Sequence, residues 1–474
     1  MGPARPDWKG LQRRLSGALL LPGAAAYEWA RKPFIARFDE IRPQAVARCA
    51  IRDDVAEVIG FARHWRLAIA ARSGGHSLAG HSSTRGIIVD VSPLDAVMVA
   101  DGVVTVGAGA RTGQLSERLF EHGLAIPTGT CPSVGIAGLT LGGGIGILGR
   151  AHGLTLDRLV GAEVVLADGS VVECDAGRHP DLFWALRGAG AGNFGVVSAF
   201  AFDPVSAPRS ANFHLLCSHV DAAAVIDAWQ HWSPSAPDAL SADLALSASA
   251  DPDAEPLVEI FGAIIGTSQD ASNLLGEIAQ RVNVAPRRQT CAELSYRDSC
   301  AFQAEVSVGY DQVEHGTQGE RRLRQGYRFT KSQFFARPLP HDAIAALIRT
   351  FVERRRRGQS RSVSFAPWGG AYNRPAPQAT AFAHRDQLFS IEHIAIVDPS
   401  APDGAKRAAH AWATSSWDSM RPWSSSAVYP CFPDPDLEGW GRAYYRDNYA
   451  RLVDVKRAYD PGDLFHFSQS IAIR

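Results

Sequence analysis

Hydrophobic positions near the amino terminus switch repeatedly between the spacing of a helix and that of a strand. Residues 54–66 carry apolar side chains at helical spacing after an acidic start, and residues 67–71 predict a strand that ends at a glycine turn. The same patterns predict further strands over 87–91, 97–99 and 103–106, a helix over 112–122 and a hairpin over 163–174. We therefore expect a mixed α+β domain in this part of the chain.

Beyond residue 205 the glycine density falls and longer strands alternate with helices, which predicts a second domain. Strands are predicted over 242–249, 257–265, 327–329 and 389–397, and helices over 273–282 and 440–457. The last helix is followed by a stop at Asp460-Pro461-Gly462 and brings the tail back to the first domain. Because 474 residues exceed one ordinary core, we expect a first domain of residues 1–205 and 430–474 and a second of residues 206–429.

Composition and charge argue against several classes of protein. Charged residues make up 20% of the chain and the net charge is −1, so no strong field attracts nucleic acid. No apolar run approaches the roughly 20 residues that cross a bilayer, so we expect no membrane partner. Seven cysteines without a CxxC pair argue against a zinc site and a disulfide framework. We expect a cytoplasmic protein without a metal ion, present as a monomer or a small homo-oligomer.

Three glycine-rich segments lie between residues 73 and 195, more than turns alone usually require: 73–77, 135–149 and 188–195. Their backbone N–H groups suit the phosphates of one extended nucleotide cofactor, and the alternative is close packing of tight turns. Two matches to G-x-G-x-x-G begin at Gly144 and Gly190 but lack the strand-before-helix order of a Rossmann fold. A nicotinamide-dependent dehydrogenase therefore stays only as an alternative.

Two short motifs each add one nucleophilic side chain: Arg72-Ser73-Gly74-Gly75-His76-Ser77 and Gly129-Thr130-Cys131-Pro132-Ser133-Val134-Gly135. With the glycine runs, these motifs resemble the berberine bridge enzyme-like flavin oxidases of the vanillyl-alcohol oxidase/p-cresol methylhydroxylase (PCMH) superfamily. Further matches extend the resemblance over essentially the whole chain, at Asp181 to Gly188, Gly192 to Val197, His384-Arg385, Tyr444 to Arg451 and Gln469-Ser470-Ile471.

The resemblance implies a PCMH-type FAD-binding domain and a substrate domain whose antiparallel sheet, backed by helices, covers the flavin. In bicovalent family members the matching histidine bonds to the flavin 8α-methyl group and the matching cysteine to C6, which assigns these bonds to His76 and Cys131. The alternatives are a histidine that caps a turn and a buried apolar cysteine. The other cofactor-binding positions implied are Arg72, Ser73, Gly74, Gly75, Ser77, Val134, Gly135, Gly138, Gly142, Gly143, Gly146, Gly192, Asn193, Val196, Asn448 and Gln469.

Val134 matches a family position beside the reactive carbon of the flavin, where a small side chain leaves room for dioxygen. This implies an oxidase that moves a hydride from a C–H of an alcohol-type substrate to flavin N5 and passes the electrons to O2, giving H2O2. The small-molecule substrate would be a carbohydrate or a secondary metabolite. The alternatives are a flavin dehydrogenase with another electron acceptor and a flavin-binding protein with little turnover.

The catalytic base departs from the family pattern. Many relatives carry Tyr-x-Asn-Tyr, in which a tyrosine takes the substrate proton, but this chain has Phe432 at that position. Three other residues are candidates for the catalytic role, namely Tyr372, Glu392 and Tyr429. Glu392 lies on a predicted strand that faces the flavin in the family, and the alternative is a solvated glutamate or an ion pair with His384 or Arg385. Base-free hydride transfer also stays open.

Overall fold

The computed structural model of the protein describes residues 5–283, 285–308, 312–315 and 322–473. Its α-helices are α1 (Trp8–Arg14), α2 (Tyr27–Arg31), α3 (Arg52–Trp65), α4 (Thr112–Phe120), α5 (Ile136–Gly142), α6 (Gly149–His152), α7 (Pro180–Ala189), α8 (Ala222–Trp232), α9 (Ser268–Val282), α10 (Tyr296–Val308), α11 (His341–Val352), α12 (Asp403–Met420), α13 (Trp440–Tyr445) and α14 (Tyr449–Tyr459). Within these described residues, no helix combines the length and the apolar character needed to cross a bilayer.

The strands alternate with these helices along the whole chain. They are β1 (Ala18–Leu20), β2 (Ala45–Arg48), β3 (Ile69–Arg72), β4 (Ile87–Asp90), β5 (Val97–Ala100), β6 (Val103–Gly107), β7 (Leu124–Ala125), β8 (Leu159–Val165), β9 (Val171–Asp175), β10 (Val196–Phe202), β11 (Val205–Ser206), β12 (Arg209–Ser218), β13 (Leu240–Ala248), β14 (Leu257–Ile265), β15 (Arg288–Ser295), β16 (Gln312–His315), β17 (Arg322–Gln325), β18 (Tyr327–Phe335), β19 (Gln359–Pro367) and β20 (Phe389–Val397).

Helix α3 shows how local sequence sets an element. Val55, Val58 and Ile59 follow helical spacing and are fully buried. At its start, the Asp54 carboxylate accepts hydrogen bonds from backbone N–H groups, including that of Ala50 at 2.8 Å. The helix ends where Arg66 adopts the left-handed conformation with φ 53°. The predicted helix over 54–66 is confirmed.

Two sheets form the first part of the chain. One has the order β1-β2-β4-β3, with parallel pairing among β2, β4 and β3, and the other is antiparallel with the order β5-β6-β10-β8-β9. One hydrophobic core joins both sheets and also contains Leu452, Val455 and Ile471 from the tail. The carboxyl-terminal segment thus packs on the same core as the first sheets.

A seven-stranded antiparallel sheet dominates the second part, with the order β15-β12-β14-β13-β19-β20-β18. Helices α8, α9, α11 and α12 contribute to the hydrophobic core on one of its faces. Along β19, buried Val363 and Phe365 alternate with half-buried Ser362 and Ser364, so polar side chains occupy the opposite face. We call that face, which carries Ser362, Ser364 and Glu392, the open face. The predicted antiparallel sheet backed by helices, and with it the α+β class, is confirmed.

The carboxyl-terminal helix differs from its prediction. The single helix predicted over 440–457 is wrong, because the short turn Arg446–Asn448 separates α13 from α14, and Arg446 has the non-helical angles φ 49° and ψ −131°. Helix α14 then carries the fully buried Lys456, whose ammonium group lies 2.8 Å from Asp460 Oδ2 and donates to Asn193 O at 2.8 Å. This buried, fully paired charge fixes the tail against the loop before β10.

Candidate flavin site

His76 and Cys131 lie close together although they are far apart in the sequence. Ser133 Oγ lies 3.1 Å from His76 Nε2 and 3.5 Å from Cys131 Sγ, so one hydroxyl group bridges the two side chains. Phe34 stacks on the His76 ring with the ring centroids 3.7 Å apart and an interplanar angle of 16°. This stacking restricts the orientation of the imidazole. The structure therefore brings together the two nucleophiles that the sequence singles out.

Two glycines allow this approach. A Cβ atom added to Gly74 would lie 2.2 Å from Gly135 N, and one added to Gly135 would lie 2.2 Å from both Gly74 N and Ser73 Oγ. The backbones of the two motifs therefore cross at a separation that leaves no room for a side chain. Arg111 also holds the two motifs together, because its Nη1 donates to Gly74 O at 3.0 Å and to Ser133 O at 2.5 Å.

The other side chains of the first motif hold the loop in place. Arg72 is buried and donates to Ala30 O at 2.6 Å and to Ser82 O at 2.9 Å. Ser73 Oγ donates to Ala108 O at 2.7 Å, and Ser77 Oγ accepts from His81 N at 3.0 Å. Gly75 has φ 73°, which favours glycine. These residues shape the loop that presents His76.

The glycine run after α5 packs against two of the tyrosines proposed as bases. Gly144 N donates to Tyr429 Oη at 2.7 Å, Gly146 N donates to Tyr372 Oη at 3.1 Å, and Tyr372 Oη donates back to Gly146 O at 3.2 Å. A Cβ on Gly143 would lie 2.7 Å from the Tyr429 ring. Burial raises the pKa of both hydroxyl groups, for Tyr429 well above its usual value. Both tyrosines therefore stay protonated and hold the run in shape.

Val134 and its neighbours form the entry to α5. Val134 is half-buried, its N–H donates to Cys131 O at 3.2 Å, and its carbonyl accepts from Thr112 N at 3.0 Å. In α5, Gly138 is exposed, with no atom within 4 Å of an added Cβ, whereas a Cβ on Gly142 would lie 2.6 Å from Cys431 Sγ. Val134 thus occupies a defined position directly after the Cys131 turn.

The predicted cofactor-binding residues further along the chain direct their polar atoms to protein partners. Asn193 Nδ2 donates to Ala189 O at 2.8 Å and its Oδ1 accepts from Ile471 N at 2.9 Å. Asn448 Nδ2 donates to Pro377 O at 2.8 Å, and Gln469 Nε2 donates to Asp434 O at 2.7 Å. Gly192 has φ 77°, and Val196 is buried at the start of β10. Their side chains join the tail to the rest of the molecule.

Glu392 has a different partner from those considered in the sequence. Its Oε1 lies 2.5 Å from Arg328 Nη2 on the neighbouring strand β18, so an ion pair with His384 or Arg385 is the wrong assignment. Arg385 pairs instead with Asp157 at 2.6 Å, and His384 Nε2 bonds to the Tyr444 carbonyl at 2.9 Å. Burial nevertheless raises the pKa of Glu392, because the loss of hydration outweighs the attraction of Arg328.

Sequence reasoning missed one acid on the same sheet. Asp243 lies on β13 between the buried residues Ala242 and Leu244, so its side chain points to the open face. Burial raises the pKa of Asp243 to about 7. The signal that would have found it is the alternation of residues 240–248, the same pattern that singled out Glu392.

The arrangement fits a bound flavin. Ser133 Oγ lies 3.1 Å from His76 Nε2 and 3.5 Å from Cys131 Sγ, so both side chains could face one ring of a bound isoalloxazine. Because neither Gly74 nor Gly135 has a side chain, a cofactor could approach the backbone closely where the two motifs cross. His76, Cys131 and the surrounding glycine backbone are the groups that would hold FAD.

Comparisons with known proteins show the family of the chain. A family model described as FAD binding domain matches residues 43–175, and one described as berberine and berberine like matches residues 428–472. The chain is 31% identical to the uncharacterized FAD-linked oxidoreductase YgaK of Bacillus subtilis, over 90% of this chain and 91% of that protein. The chain belongs to the berberine bridge enzyme-like FAD-linked oxidases. It is also 30% identical to the chitooligosaccharide oxidase of Gibberella zeae, over 85% of this chain and 82% of that one.

Solved structures show the same fold. Glucooligosaccharide oxidase from Acremonium strictum, which has a 6-S-cysteinyl, 8α-N1-histidyl FAD, matches with a TM-score of 0.83 and 25% identity over 96% of this chain and 97% of that one. The predicted family, fold and oxidoreductase class are confirmed, and the FAD-binding domain supports FAD as the cofactor. The Rossmann alternative is wrong, since helices α5 and α7 precede the two glycine motifs that a strand should precede.

Proposed function

We propose that this berberine bridge enzyme-like protein is a bicovalent FAD oxidase of an alcohol-type carbohydrate or secondary metabolite. The observation that carries the proposal is the bridge from His76 through Ser133 Oγ to Cys131. When bound, FAD would accept a hydride from a substrate C–H at N5 and return the electrons to O2 as H2O2. The relatives named oxidases support this chemistry.

The two domains of the chain would have different roles around that cofactor. We propose that the first domain comprises residues 1–205 and 430–474 and the second residues 206–429, which the two separate hydrophobic cores support. The open face of the second domain then provides the substrate platform. Phe334 on that face packs with Leu154 and Leu156 of the first part, so the face lies against the first domain.

The three proposed catalytic residues would act in different ways. Tyr372 and Tyr429 would position the glycine run, because their hydroxyl groups already bond to Gly146 and Gly144. Glu392, with Arg328 2.5 Å away, would bind and orient substrate hydroxyl groups from the open face. Phe432 leaves the usual proton-accepting position without a titratable group, and its ring packs edge-on against Tyr429 with centroids 4.9 Å apart.

Anaerobic reduction of the flavin tests the proposed function. The purified protein is mixed without oxygen with reducing oligosaccharides and with phenolic and polyketide alcohols, and the flavin absorbance is followed. We expect at least one alcohol to bleach the flavin, and admission of air to restore the colour with one H2O2 per flavin. A flavin that keeps its colour with every alcohol, yet bleaches with dithionite, would show a flavin-binding protein without this activity.

Replacing Val134 by isoleucine should slow the reaction with oxygen. The half-buried Val134 directly follows the Cys131 turn, so one more methylene group would fill space that dioxygen needs in the reduced protein. We expect reoxidation to slow by about tenfold or more while anaerobic reduction changes by less than about twofold. Stopped-flow mixing of the reduced protein with oxygenated buffer measures it, with Val134→Ala as the control that keeps fast reoxidation. Equal reoxidation rates in Val134→Ile and wild type would contradict the role of Val134.

A further inference from the structure

Asp243 is an acid of the open face that has no counter-charge. Its neighbours Ala242 and Leu244 belong to the helix-backed core, whereas Asp243 itself is half-buried on the opposite side of β13. Within the described residues, the carboxyl group of Asp243 forms no hydrogen bond and no ion pair. A carboxylate in a sheet interior without such partners is unusual, because desolvation penalises its charge.

The other acids of this face are compensated. Glu259 of β14 accepts hydrogen bonds from His214 at 3.0 Å and from Ser247 at 3.0 Å. Glu392 of β20 pairs with Arg328. Among the residues that the structure describes, Asp243 is therefore the one acid on the open face whose carboxyl group has neither an ion pair nor a hydrogen bond.

The groups packed around Asp243 leave its carboxyl group free to bind a substrate. Phe261 lies opposite it on β14, and the Asp243 charge adds to the burial that raises the pKa of Tyr372 in the turn after β19. Arg150 of α6 is the nearby cation, but its guanidinium group donates to the carbonyls of Leu240 and Pro234 at 2.8 and 3.1 Å. Among the residues that the structure describes, no cation pairs with the Asp243 carboxyl group.

We propose that Asp243 is the proton acceptor for the substrate hydroxyl group, in place of the tyrosine that Phe432 replaces. This rests on the proposed function. As the substrate C–H bond breaks and its electron pair leaves as hydride to FAD, the O–H bond breaks, its electron pair forms the second bond of the carbonyl group, and the proton moves to the Asp243 carboxylate. The electrons then pass to O2, and Asp243 returns its proton to solvent.

The position and the acidity of Asp243 both suit this role. Arg150, in the helix that follows the glycine run, donates to Leu240 O at the start of β13 at 2.8 Å, so the strand that carries Asp243 begins beside the glycine run, where Tyr372 Oη bonds to Gly146. With a pKa of about 7, the carboxylate is half ionised near neutral pH, which is where a general base is most effective. Tyr372 and Tyr429 stay protonated at that pH, because burial raises the pKa of each.

A stability measurement tests the acidity of Asp243 without any turnover. The folded-state pKa of about 7 lies above the roughly 3.9 of an unfolded aspartate, so the wild type loses stability as the pH rises from 4 through 7. Asp243→Asn cannot titrate, so its melting temperature relative to wild type should rise over the same interval. Ser241→Ala, on the same strand and with no titratable group at the substituted position, should show a constant difference. A constant difference for Asp243→Asn as well would overturn the raised acidity on which the proposal depends.

Anaerobic flavin reduction by the alcohol found above tests the proton transfer itself. In wild type the rate should rise with pH to a plateau above about 7, whereas Asp243→Asn should be about a hundredfold slower and without that dependence. Added formate should restore part of the rate in Asp243→Ala, which a structural role would not produce. Unchanged reduction in Asp243→Asn would overturn the proposal for Asp243 alone. Failure of the wild type with every alcohol would instead overturn the proposed function.

Discussion

Replacing both His76 and Cys131 by alanine will release all flavin when the protein is denatured in acid, whereas either single substitution will keep some flavin bound. Each side chain is expected to form its own bond, and both lie within 3.5 Å of Ser133 Oγ. Loss of one bond therefore leaves the other. Flavin absorbance in the pellet and supernatant after acid precipitation measures the effect.

A second histidine in the same loop supplies the control. His81 also belongs to the segment after β3, but its ring packs on Phe467 with centroids 4.6 Å apart, and burial lowers its pKa to about 4. His81→Ala should keep the flavin in the pellet, as in wild type. Complete release from His76→Ala alone, or retention in the double variant, would show that the bonds are not those we propose.

Replacing Gly135 by alanine should have the second large effect, on stability and on flavin content together. The added Cβ would meet Gly74 N and Ser73 Oγ at 2.2 Å, and the backbone nitrogen cannot move without separating the two motifs. We expect a loss of about 3 kcal/mol in unfolding free energy, typical of severe overpacking. Urea unfolding of the purified variant, with its flavin content measured by absorbance, tests this.

The matched control is a glycine with free space around it. Gly60 lies inside α3, and an added Cβ would have no atom within 4 Å. Gly60→Ala should therefore be as stable as wild type or more stable by up to about 1 kcal/mol, because alanine favours a helix. A Gly135→Ala variant that unfolds at the same urea concentration as Gly60→Ala would refute the close crossing of the two motifs.

Local patterns in the sequence predicted most of the fold. The helical spacing of Val55, Val58 and Ile59 and the alternation on β19 correspond to buried faces in the structure. The break at Arg446 was not predictable in this way, since hydrophobic spacing continues across it while the backbone leaves the helix. Periodicity records which side chains are buried, and it does not record where a backbone turns.

The contents of the site depended on contacts that sequence distance hides. The pair His76 and Cys131 was found through its motifs, but Ser133 as their bridge required coordinates. Glu392 was a candidate for the catalytic role with an ion pair to His384 or Arg385 as the alternative, whereas strand pairing places it beside β18 and Arg328. The alternation over residues 240–248 sets Asp243 apart from its buried neighbours, and the pairing of β13 with β14 and β19 then places it on the open face.

The most direct test of the covalent site is a map of the flavin-bearing peptides after trypsin digestion. Cleavage after Arg72, Arg85, Arg118 and Arg150 would place His76 and Cys131 in separate peptides, 73–85 and 119–150. We expect one flavopeptide whose mass is the sum of both peptides and FAD less four hydrogen atoms, because each bond replaces one hydrogen of the side chain and one of the flavin, with fragmentation assigning the bonds to His76 and Cys131. Free FAD in the digest, with both peptides at their unmodified masses, would contradict the bicovalent site.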